Sequence, residues 1–151
     1  MRTAGICATV LLGVLIAACA RAVDDGGLRI PGAGPSAGEN GHTTEAIGLE
    51  TVAGVVPLLA AGCVLPCSTT ETFTTSAEAQ TQVTVRLYRG AVGPAAQAKA
   101  IGEFRIEGCI SGPRGAPQIA LTVTAIGRDL MLSAKGIRSK TTCRIAQVSG
   151  V

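Results

Sequence analysis

Six cysteines and one histidine are the residues here whose types could do chemistry: Cys7, Cys19, Cys63, Cys67, Cys109, Cys143 and His42. A thiol can act as nucleophile, metal ligand or half of a disulfide. Nucleophilic catalysis needs a base beside the thiol or hydroxyl. The single histidine precedes the strand-like part of the chain, and no hydroxyl or thiol there has an evident base. The sequence therefore predicts no catalytic residue and no enzyme. Zinc would require paired Cys-x2-Cys hooks or a nearby histidine. Cys63 and Cys67 are spaced Cys-x3-Cys, and Cys109 and Cys143 stand alone, so neither a metal nor any other cofactor is expected. Cys7 and Cys19 belong to an N-terminal run that reads as an export signal and lipid site; the remaining four, in a domain so exported, favour disulfides, with three connectivities open. In one of them Cys63–Cys67 closes a tight loop beside Pro66 while Cys109–Cys143 joins distant strands. The longer bridge would contribute roughly 3 to 4 kcal/mol on the loop-entropy model.

The elements that must position these residues begin with an uncharged apolar run, Ile6 to Ala18, behind Arg2. About 20 apolar residues span a bilayer, so this run is short for a membrane helix and suits an export signal. It ends in Leu15-Ile16-Ala17-Ala18-Cys19, which resembles a bacterial lipobox: an aliphatic residue, two small ones, then the lipidated cysteine. The expected organisation is a signal peptide over 1–18, then lipidated Cys19 and a tether over 19–44, then a domain over 45–151. Ala20 after the cysteine points to the outer rather than the inner membrane, with the domain facing the periplasm. Residues 20–44 have no periodicity and several Gly and Pro, so they read as a flexible linker. About 22 such residues span roughly 25 Å root-mean-square. His42 falls at its end, where solvation is the ordinary state.

Residues 45–151 read as short strands with turn signals between them. Val52 to Ala61 is apolar apart from one Gly and one Pro and reads as a buried strand; Pro66 and Cys67-Ser68-Thr69-Thr70 read as its break. Thr72 to Thr75 suits a short strand. Val83 to Arg89 alternates cleanly, with Val83, Val85 and Leu87 on one face. Gly90 to Lys99 reads as a loop. Ile101 to Glu107 alternates except at Ile101. Gly112-Pro113-Arg114-Gly115-Ala116-Pro117 is a rigid turn launching Ile119 to Ala125. Leu130 to Ala134 and about Thr142 to Val148 complete the set. The prediction is an all-β antiparallel sandwich large enough to fold alone. Aromatic content is only 2%, so aliphatic side chains must build the core. A formal charge of +3, with no basic cluster interleaved with aromatics, excludes a nucleic-acid partner.

Read together, these stretches resemble the substrate-binding β-sandwich of seventy-kilodalton heat-shock chaperones of the DnaK type. The resemblance rests on Gly48-Leu49-Glu50-Thr51, Gly54-Val55, Pro66, Phe73-Thr74-Thr75 and Gln80 to Val85. It continues through Ile101-Gly102-Glu103-Phe104, Pro113 to Ile119 and Leu132 to Lys135. It implies a groove for extended apolar peptides or unfolded proteins. By the same resemblance Leu49, Phe73, Val83, Val85 and Ile119 line the pocket, and Val52 and Ser76 arch over the peptide. Thr51, Thr74 and Gln80 fall at hydrogen-bonding positions, and Cys63–Cys67 is expected near the groove rim. Main-chain bonding holds any extended strand, and side-chain pockets supply preference. Strand alternation alone would make each apolar member of the set a core residue.

The family's other parts are not matched. No Gly-rich phosphate loop precedes residue 45, so no nucleotide is expected. Ser36 to His42 is polar where the family carries a Leu-rich linker, and the sequence stops where a helical lid would start. Arg114 then has no lid carboxylate to pair with. The expectation is ATP-independent, rapidly exchanging holdase-like binding by an anchored domain. The alternative is a structural or assembly envelope lipoprotein that kept the sandwich and lost the groove.

Overall fold

Alternating apolar and polar side chains put one face of each strand on a core, and that pattern builds this molecule. The computed structural model describes residues 27–90 and 98–150. Nine strands occur there: β1 (Leu28–Ile30), β2 (Ala46–Thr51), β3 (Gly54–Leu59), β4 (Cys67–Thr74), β5 (Gln82–Gly90), β6 (Lys99–Glu107), β7 (Gln118–Ile126), β8 (Asp129–Gly136) and β9 (Arg144–Gly150). No helix is present among the described residues. Two antiparallel sheets form, one ordered β1-β8-β7-β4 and the other β3-β2-β5-β6-β9. Ile119, Leu121, Val123 and Ala125 on β7 and Leu130 and Leu132 on β8 supply one inner face. Leu87, Phe104 and Ile106 supply the other, and all of these belong to one continuous core cluster. The fold is therefore the expected all-β sandwich.

Strand register decides which loops share an end. Leu49 lies opposite Leu87, so the end of β2 and the start of β5 point the same way. Gln82 lies opposite Glu107, and Glu107 opposite Arg144. In the other sheet Thr74 lies opposite Gln118, and Ile119 opposite Gly136. Loops 52–53, 75–81, 108–117 and 137–143 thus gather at one end. Loop 60–66 and turn 127–128 lie at the other.

Several expectations change. The stretch expected as one buried strand over Val52–Ala61 is the second arm of a hairpin, in which Val52 and Ala53 are the turn and Gly54 has φ 112°. Residues Cys67–Thr70, expected to break a strand, open the eight-residue β4, because β-branched threonines suit a half-exposed edge strand. Glu71 lies on the inward face of that edge yet stays exposed, a charge that discourages edge-to-edge pairing. Ile101 breaks the alternation for a definable reason. Leu87 pairs with Gly102 but Tyr88 pairs with Ala100, so Ile101 is an extra residue in a β-bulge and packs against the core. The expected loop Gly90–Lys99 falls mostly on residues 91–97, outside the described residues.

The tether expected through residue 44 also differs. Leu28–Ile30 pairs with Leu130–Leu132 as an edge strand. Ala37 bridges Thr43, and His42 bridges Val64. The Gly34 N–H donates to the Arg128 carbonyl at 2.9 Å, and a Cβ on Gly34 would lie 2.7 Å from the Arg128 carbonyl carbon. Pro35 is fully buried beside it. A sheet edge supplies backbone partners without asking for local periodicity, so composition alone missed this docking. Signal peptide and Cys19 lie outside the described residues.

Candidate functional site

The candidate site is the end where loops 52–53, 75–81, 108–117 and 137–143 meet. Its floor is aliphatic. Ile119 is fully buried and lies directly opposite Phe73 in the β4–β7 pair. Leu49 and Val85 are each 5% exposed, on neighbouring strands of the other sheet. Phe73 and Val83 are half-buried and pack against the same core cluster. All five expected pocket residues therefore belong to one apolar body, with Phe73 and Val83 as its exposed shoulder. Val52 is fully solvent-exposed at the tip of its turn, and Ser76 is exposed at the start of its loop.

The polar residues hold the loops in shape. The Thr51 hydroxyl donates to the Gly54 carbonyl at 2.9 Å and accepts from the Ala53 N–H at 3.2 Å, closing the Val52 turn. The Thr74 hydroxyl donates to the Pro117 carbonyl at 2.8 Å. Gln80 Oε1 accepts from the Ser76 N–H at 3.0 Å and the Ala77 N–H at 3.3 Å, while Nε2 donates to the Gln82 carbonyl at 2.7 Å. Ala79 takes a left-handed φ of 53° inside this closure. The side chains expected to offer hydrogen bonds outward are thus engaged within the chain. What this end presents outward is exposed main chain, apolar surface such as Val52, and the charged side chains of Glu78, Arg114, Arg138 and Lys140.

Thr75 was not singled out by sequence reasoning. It is 2% exposed, and both its carbonyl and its hydroxyl accept from the Gly115 N–H at 3.1 Å. Glu78 Oε2 accepts from the Arg114 N–H at 3.3 Å. The 75–81 loop is therefore clipped to the Pro113–Ala116 turn. The hint was adjacency to Phe73 and Thr74; a lone threonine carries no stronger signal. On the outer face of the five-stranded sheet, Arg86 donates to Glu103 at 2.8 Å and to Glu50 at 3.3 Å. The Glu103 bond, then the Glu50 bond, keeps the guanidinium more firmly protonated than usual. Burial first, and then the Glu50 charge, pushes the Tyr88 phenol up. This network lies behind the pocket strands and stiffens them.

Both cysteine pairs are bridged, Cys63 to Cys67 and Cys109 to Cys143, with Cα separations of 6.3 and 4.8 Å. These separations suit disulfide geometry. The expected position of the first bridge is corrected. Cys67 lies opposite Ala125, at the end away from the site loops, seven residues or roughly 24 Å along β4 from Thr74. Cys109–Cys143 is the bridge at the site end, tying the 108–117 loop to the start of β9.

A two-sheet sandwich, nine-stranded among the described residues, with four braced loops at one end of an aliphatic core defines a class: an all-β domain like the substrate-binding β-subdomain of DnaK-type chaperones. The Hsp70 protein family model matches residues 43–141, and the chain belongs to that family. Chaperone protein DnaK of Anaplasma marginale (strain St. Maries) is 39% identical over 77 residues, covering 50% of this chain and 12% of that protein. Chaperone protein DnaK of Mycoplasmopsis synoviae (strain 53) is 32% identical over 96 residues, covering 62% of this chain and 16% of the relative. The chain thus spans less than a fifth of the length of these curated relatives.

Proposed function

We propose that this domain holds extended, apolar peptide segments or unfolded protein between the Val52 turn and the 75–81 loop, without a nucleotide cycle and from a membrane anchor. The observation that carries the reading is the half-buried state of Phe73 and Val83, at the strand ends beside the 75–81 loop, on an end whose loops are shaped by their own hydrogen bonds. An aliphatic side chain seated there would gain about 0.8 kcal/mol per buried methylene. Main-chain groups of Val52, Thr74 and Ser76 would bond the peptide backbone, and Leu49, Val85 and Ile119 would support the floor. Residues 36–44 support nucleotide-free action. The Gly38 N–H bonds the His42 carbonyl, and the Thr44 N–H bonds the Ser36 carbonyl. His42 Nδ1 lies 2.9 Å from the Gly62 carbonyl. This segment is folded onto its own domain rather than presented as an apolar linker. The lipobox-like Leu15–Cys19 supports lipidation at Cys19 and residence in the outer membrane, facing the periplasm.

Titration of the full chain with a fluorescent Leu-rich peptide tests the reading. Saturable binding that Val83→Phe abolishes is the expected result. No saturable binding by the native protein returns the domain to a structural or assembly role. Intact mass and radiolabelled-lipid incorporation, compared with Cys19→Ser, test the anchor.

A further inference from the structure

The end of the sandwich that holds the candidate groove carries a charge bias that the aliphatic floor does not require. Its four loops hold three cations, Arg114, Arg138 and Lys140, against one acid, Glu78. All three cations are exposed, and none makes an ion pair among the described residues. The other acids near this end are held or balanced. Glu107 is engaged by Arg144 at 2.8 Å and Arg105 at 3.4 Å, and Glu50 by Arg86. Exposed Glu71 on the inward face of β4 and exposed Lys135 on the outer face of β8 form no pair and offset each other only in the count.

The cations lie on two neighbouring loops of that end. Arg138 lines an open cleft of about 380 Å³ together with Gly112, Pro113, Ala116 and Pro117, the turn that carries Arg114. That turn is clipped to the 75–81 loop through Thr75 and Glu78. The 137–143 loop is fixed as well. The Ile137 N–H donates to the Gln118 carbonyl at 2.8 Å, the Gly136 N–H to the Thr141 carbonyl at 2.9 Å, and Cys143 is bridged to Cys109. Lys140 sits in it at a left-handed φ of 54°. On the same loop Ile137 is 41% exposed, so apolar and cationic surface alternate along the rim. Charges held on braced loops present a standing field instead of a mobile one, and such fields select partners by complementarity.

We propose that the groove selects apolar segments flanked by acidic residues, with Arg114, Arg138 and Lys140 as the specificity-determining cations. This rests on the peptide-binding reading and names the substrate class for it. The flanking carboxylates would meet the three cations while the apolar centre occupies the Phe73–Val83 shoulder.

The test uses the full chain and two labelled peptides that share a Leu-rich centre, one flanked by Asp and Glu, the other by Lys and Arg. At about 20 mM salt the acidic-flanked peptide should bind about fivefold more tightly, with the gap closing towards parity near about 0.5 M as screening shortens. Arg138→Glu with Lys140→Glu should remove or invert the preference. Arg138→Gln with Lys140→Gln should reduce it with less risk to folding. A control of equal charge change at the opposite end, Lys99→Glu with Arg128→Glu, should keep it. Equal binding of both peptides, a preference for the basic one, or equal loss in the far-end control overturns the proposal. Binding of neither peptide sinks the peptide reading itself, which separates the two failures.

Discussion

At the scale of single residues, the floor of the candidate site does two jobs, and the two must be separated by exposure. Ile119 is fully buried against the core, so its side chain stabilises the fold whatever the groove does. Val83 is half-buried, so only part of its transfer free energy goes to the core. Ile119→Ala should cost about 2 to 5 kcal/mol by lost burial plus cavity. Val83→Ala should cost about 1 kcal/mol, roughly half the value for a fully buried valine. Urea unfolding with both disulfides intact reads the difference. Equal costs would mean that Val83 is as deep as Ile119 and that no shoulder exists. The alternation Val83-Val85-Leu87 was legible in the sequence because period two reports an inward face. The gradation of depth along that face was not, since it depends on which loops cap each strand end. Thr75 was illegible for a related reason: its role comes from Gly115, forty residues away, and only folding brings them together.

At the scale of elements, strands announced by alternation were read correctly, while those formed by partnership were not. β7 was plain because each inward residue is aliphatic. β1 was not, because three residues on a sheet edge owe their conformation to β8. Its anchor is electrostatic in part. Asp129 accepts from Arg29 at 2.9 Å and from the Gly32 N–H at 3.0 Å. The Gly32 bond first, and then Arg29, holds its carboxyl below the usual carboxylate range. The folded form therefore binds its proton less readily than the unfolded form. The Asp129 contribution is complete above the ordinary carboxylate range and disappears as pH falls through the lowered folded value. Amide exchange of Gly32 should accelerate relative to β7 amides on acidification, after correction for the intrinsic pH dependence of exchange. Asp129→Asn should show that relative loosening already at neutral pH. Unchanged Gly32 protection in Asp129→Asn would show that backbone pairing alone holds β1.

At the scale of the whole molecule, two bridges staple the opposite ends, and they differ in the chain they enclose. Cys109–Cys143 has a sequence separation of 34 and Cys63–Cys67 a separation of 4. Loop entropy gives about 4 kcal/mol for the first and about 2 for the second. Replacing both members of the longer pair by Ser should therefore lower unfolding free energy more than replacing the shorter pair, and should loosen the rim that carries Lys140. The docking of β1 has the larger consequence for an anchored protein. If residues 19–44 were all tether, the extended reach from Cys19 would be about 90 Å. With pairing begun at Leu28, at most eight residue steps separate Cys19 from Gly27, and the covalent limit falls to about 29 Å. If Cys19 carries the proposed lipid, the domain is then held near the bilayer, and the clients proposed for it would be segments emerging at that surface. Neutron reflectometry of the lipidated protein on a supported bilayer measures this directly. A protein layer starting within about 30 Å of the headgroups is expected, and Gly34→Val, whose side chain meets the Arg128 backbone, should undock the 31–36 segment and β1 with it, lengthening the tether and moving the layer outward. A native layer centred well beyond that distance would show that β1 does not stay docked in the anchored molecule.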